Sequence, residues 1–155
     1  MRQLFITFLS CAWLFGSVVR DAASAAEDET LDVIVHPSSP VTRLNGAEVE
    51  ALFTRTQTRW SDGTPVVPLS FPAGTAVRDR FDRTVLRLDS DNVGRFWLDR
   101  RIRGLGAPPK QVLNAGLMLK VVANLPGAIG YVPSLRNRSG VKVVARIAQG
   151  KVITP

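Results

Sequence analysis

The chain is poor in the residue types that most often carry chemistry. Its 155 residues include one cysteine, one histidine, one tyrosine and two methionines. One cysteine excludes an internal disulfide framework, and with one histidine it leaves no ligand set for a zinc site. His36 precedes Pro37 with no acidic residue beside it in the chain, and no G-x-S-x-G nucleophile elbow occurs. The expectation is a protein that is not an enzyme and has no metal and no cofactor. Aromatic residues interleaved with basic ones, the pattern of single-strand binding, are also missing, so no nucleic-acid partner is expected. Internal repeats and low-complexity tracts are absent, and only the N-terminus carries a long apolar run.

That run has a specific form. Arg2 gives a short positive start, Leu4 to Val19 is apolar, and Ala23-Ser24-Ala25 is a small-x-small cleavage pattern. This reads as a secretory signal peptide over residues 1–25, followed by a mobile leader over 26–30 and one domain over 31–155. Cys11 lies inside the apolar run and leaves with it. The expected location is periplasmic or secreted, with no membrane insertion after cleavage.

Charge of one sign is in excess, 20 Lys and Arg against 13 Asp and Glu, for a formal +7. Most of the excess is arginine, densest at Arg95, Arg100, Arg101 and Arg103. Such a cluster serves either as a solvated helix face or as an attraction for anionic solutes or an acidic partner.

Strand and helix patterns are intermixed, which predicts an α/β fold with a small mixed sheet flanked by three or four helices. Leu31 to Val35 is a near-continuous apolar run, as in a strand buried on both faces. Asn45 and Glu48 form a capping box, with Leu44 and Val49 at the staple positions. Asp62-Gly63 is a turn pair. Val66 to Phe71 reads as a strand, and Pro68 within it predicts an edge or irregular position. Thr75 to Leu88 reads as a helix with Val77, Phe81, Val85 and Leu88 inward. Its outer pairs Arg78/Asp82 and Asp79/Arg83 stand at i, i+4, where each contributes only tenths of a kcal/mol. Asp89 or Ser90 caps a helix running to about Arg103, and Asn114 caps another whose stripe is Leu117, Met118, Val121, Val122 and Leu125. Ala128 to Val132 is a short strand, and Val141 to Ile147 reads as the final one.

The best site candidate is the turn before the helix at Thr75. A helix start offers free N–H groups to an anion, and Gly74 and Thr75 add a backbone without bulk and a hydroxyl. Ala76 opens the helix, and Arg78 stands one turn in. The same residues also describe an ordinary connection in which Thr75 caps its own helix.

The order of "VIVHPSSPVTRL", "EVEALFTRTQTRWSDGTPVVPLSF", "FWLDRRIRGLGAPP" and "LPGAIGYV" resembles the substrate-binding proteins of phosphate ABC transporters, and more closely their short single-domain relatives. The likeness runs over about residues 31–147. It implies a single lobe of a periplasmic-binding-protein type II-like fold, with a small phosphate-like oxyanion as ligand. It also implies that the second cleft wall comes from a protein partner or a homodimer. The family's loop reads Arg-x-Asp-x-Ser-Gly-Thr. Here Leu69, Phe71 and Ala73 stand for the arginine, the aspartate and the first hydroxyl, and Gly74 and Thr75 match. The resemblance therefore implies weak oxyanion binding by Gly74, Thr75, Ala76 and Arg78. The alternative is a protein-interaction or accessory module that keeps the fold without a solute pocket.

Overall fold

The computed structural model describes residues 30–134 and 138–154. The signal-peptide reading and most of the leader lie outside these residues. Six strands, β1 (Leu31–Val35), β2 (Val67–Ser70), β3 (Lys110–Gln111), β4 (Ala128–Pro133), β5 (Lys142–Ala148) and β6 (Lys151–Ile153), form one mixed sheet in the order β3-β2-β4-β1-β5-β6. Among the described residues four helices accompany it: α1 (Gly46–Phe53), α2 (Ala76–Phe81), α3 (Ser90–Ile102) and α4 (Ala115–Asn124).

β1 sits between β4 and β5, antiparallel to both, and all five of its residues are buried, as its apolar run predicts. Its register with β5 slips between Val33 and Ile34, which leaves Val144 as the extra residue. The Val144 carbonyl accepts from Leu44 N–H at 2.8 Å, so the bulge helps hold the chain leading into α1.

β2 takes the irregular of the two expected forms. It is not an edge strand: β4 pairs with its first half and β3 with its second, both parallel. Val67 donates to the Gly127 carbonyl at 2.9 Å, toward β4. By alternation the nitrogen of Pro68 faces the other side, where the β3 ladder begins only opposite Leu69. A proline is tolerated there because no partner strand asks for its missing N–H.

Successive residues of β4 divide the core. Tyr131 stacks on Phe81 at 3.8 Å and meets Phe53 and Phe71 at 5.7 and 5.5 Å, which fixes α1 and α2 on one face. Gly130 points to the opposite face, where a Cβ would meet Met118 Sδ at 2.6 Å and Val122 Cγ2 at 3.4 Å. Glycine lets α4 lie close to the sheet at this position.

The capping box at Asn45 and Glu48 forms with both of its hydrogen bonds, at 3.0 and 2.7 Å. Asp89 caps α3 and Asn114 caps α4. The stripe of α4 is narrower than its sequence suggests: Met118 and Val122 are buried, whereas Leu117 and Leu125 are exposed. The helix expected to run from Thr75 to Leu88 is regular only to Phe81. It then widens into a π turn, Asp82–Leu86, in which Arg87 N–H reaches back to the Asp82 carbonyl, and Arg87 closes it with φ 56°. Phe81, Asp82 and Val85 are all buried across this change of pitch.

Candidate functional site

β2 delivers the chain to the candidate turn. Ser70 is buried, its hydroxyl paired with Tyr131 Oη at 2.8 Å, and its carbonyl accepts from Val112 N–H. Burial pushes the Tyr131 phenol well above its usual value, so the pair is neutral and structural. Phe71 then enters the core, and Pro72 starts the turn.

Gly74 carries φ 80°, a left-handed conformation that disfavours any side chain, although the space beside it is open. Thr75 is the N-cap of α2. Its hydroxyl donates to the Pro72 carbonyl at 2.9 Å and accepts from Arg78 N–H at 3.4 Å. Among the described residues, the N–H groups of Gly74, Ala76 and Val77 have no hydrogen-bond partner. Three donors thus surround one exposed turn. The small pocket beside them, of about 30 Å³, is lined by Gly74, Arg78, Asp82, Ser90 and Val93, with Ala73 and Asp79. It has room for about one or two waters. A larger groove of about 420 Å³ begins at Ala76 and runs between α2 and the β5–β6 hairpin, past Arg83, Thr84 and Gly150.

Arg78 is not where an outward, solvent-screened pair would leave it. Its Nε donates to Asp82 Oδ2 at 2.8 Å and its Nη1 to the Phe71 carbonyl at 2.9 Å, with side chains only 8% and 6% exposed. The expectation of a pair worth tenths of a kcal/mol is corrected: this one is buried. Burial pushes the Asp82 carboxyl up, and the hydrogen bond and charge of Arg78 oppose that. Arg78 holds the Phe71 end of the loop to α2, so its charge reaches the turn already balanced.

These observations fix the architecture around the turn. Its fold is shared with phosphate-receptor structures. One, from Clostridium perfringens and described as a phosphate ABC transporter substrate-binding protein with bound phosphate, matches with a TM-score of 0.57 at 20% identity, over 74% of this chain and 43% of that one. An ABC-type phosphate transport receptor from Vibrio cholerae matches with a TM-score of 0.56 at 17% identity, over 74% of this chain and 44% of that one. The chain therefore spans less than half the length of these receptors. No protein-family model and no curated protein matches it.

The receptor-like fold brings Gly74, Thr75, Ala76 and Arg78 to one turn, with Arg78 facing inward. Sequence reasoning missed three neighbours. Asp82 was read as surface, and its signal was the i, i+4 relation to Arg78. The start of α3 adds Ser90 and Val93 to the pocket wall, which no local motif announces. A second charged cluster lies apart: Asp32, fully buried on β1, is held at 3.0 Å by both Arg138 Nε and Arg146 Nε. His36 is engaged locally, its Nδ1 2.7 Å from Ser38 Oγ and 3.1 Å from Ser38 N. No cluster of metal-ligating side chains occurs among the described residues, and no helix there is long and apolar enough to cross a membrane.

Proposed function

We propose that this chain is an exported, non-catalytic binding module of the solute-receptor type, and that it holds a phosphate-like oxyanion weakly at the start of α2. The observation that carries the reading is the Gly74–Thr75 turn: three N–H groups without partners at the end of β2, in a fold shared with phosphate receptors. Backbone donors at a helix start suit an anion without a side-chain cation. The excess of arginine favours its approach through the field of the whole protein.

The same geometry limits the affinity. Arg78 is spent on Asp82 and Phe71, and Leu69 stands on β2 with an apolar, buried side chain. Lacking a charge-assisted contact costs about 1.5–3 kcal/mol, roughly ten- to a hundredfold in dissociation constant. Calorimetric titration of the protein with phosphate and with sulfate tests this. Weak, saturable heat is expected, lost in Gly74→Val, which the left-handed backbone disfavours. Absence of heat with both anions refutes the reading.

A second reading, a protein-interaction module that keeps the fold without a pocket, is favoured by Leu98 and Ile102, which stand exposed on α3.

A further inference from the structure

α3 is attached to the fold along one line and bare along the opposite one. With 3.6 residues per turn, Val93, Phe96, Trp97 and Arg100 share the inner side, where Arg100 lies 5.4 Å over the Phe96 ring. The outer side carries Asp91, Gly94, Leu98 and Ile102, with Leu98 58% and Ile102 77% exposed. Gly94 costs about 1 kcal/mol against alanine in a helix interior. Among the described residues a Cβ there would meet nothing within 4 Å, so their packing does not ask for a glycine. The helix is also polarised: Asp89 and Asp91 stand at its start, and Arg100, Arg101 and Arg103 at its end.

A second copy of α3 running antiparallel complements both features. A prominent apolar side chain meets a residue without one, and the acidic start meets the basic end. We propose that the chain self-associates through α3 in an isologous antiparallel pair, with Leu98 of each copy seated on Gly94 of the other. That register sets Asp91 level with Arg101 of the other copy, twice by symmetry. Neither residue makes an ion pair among the described residues. One helix face is a small contact, and interfaces below about 1,200 Å² are typically weak and transient.

Sedimentation velocity from micromolar to near-millimolar protein tests the pairing. A rise in average mass toward the dimer is expected, and a monomer at every concentration overturns it. Leu98→Asp and Ile102→Asp alter exposed positions, so the fold is retained and association is lost; a dimer that survives Leu98→Asp removes α3 as the interface. Asp91→Arg or Arg101→Asp alone weakens association, and the two together restore it; failure of that rescue refutes the register.

Discussion

Replacing Arg78 by methionine tests whether the turn is held by a buried ion pair. The substitution keeps the apolar stem and removes both the Nε bond to Asp82 and the Nη1 bond to Phe71. It leaves Asp82, whose side chain is 6% exposed, without its counter-charge. Breaking a buried pair from one side costs about 3–5 kcal/mol. For a chain of this size that corresponds to a fall of roughly 10 °C or more in Tm. The loss depends on pH. Burial already raises the Asp82 pKa above its unfolded value, and removing Arg78 raises it further. A carboxyl with a raised folded pKa contributes stability that is full below its unfolded value of about 3.9 and lost as pH rises through the folded pKa. The cost of Arg78→Met is therefore largest at neutral pH and shrinks on acidification, as Asp82 takes up a proton. Adding Asp82→Leu removes the stranded charge and is expected to recover much of the loss, since apolar replacements of buried pairs are often neutral or better. Urea unfolding followed by tryptophan fluorescence reads all of these, because Trp60 and Trp97 are buried. A loss below about 1 kcal/mol, or a double variant no more stable than the single one, refutes the buried-pair account.

Tyr131→Phe leaves the Ser70 hydroxyl buried without its 2.8 Å partner and is expected to cost about 1–3 kcal/mol in urea unfolding. Tyr131 is the only tyrosine in the chain, so the phenolate absorbance of the folded protein is expected to stay absent past the ordinary value of about 10 and to appear on unfolding. Gly130→Ala drives a methyl group into Met118 and is expected to destabilise by about 1–3 kcal/mol, with Met118→Ala in the same chain restoring part of the loss. Asn45→Ala removes the cap of α1 and is expected to cost about 1 kcal/mol by the same measurement.

Legibility in the sequence followed the range of the interaction. Local devices read well: the apolar run of β1, the reciprocal cap at Asn45, the caps at Asp89 and Asn114, and the Asp62-Gly63 turn, where Asp62 accepts from Thr64 N–H at 2.9 Å. Each depends on residues within one turn of the chain. Long-range placement read poorly. Pro68 argued for an edge or an irregular strand, and only the staggered pairing of β3 and β4 explains why it lies inside the sheet. β6 was missed because its hairpin turn is Gln149-Gly150, with φ 52° and 69°, where the usual signal is Asn-Gly. In the site, the turn and its cap were legible from Gly74 and Thr75. The inward course of Arg78 was not, because helical spacing allows the pair without saying which side faces solvent.

The two outermost strands have a further consequence. β3 has two residues and β6 three, and each carries a lysine, Lys110 and Lys151. Short, charged borders are poor templates for adding a strand from another chain. The sheet is thus closed to growth by lateral stacking, and long-term storage at high concentration should yield discrete small particles instead of fibrils.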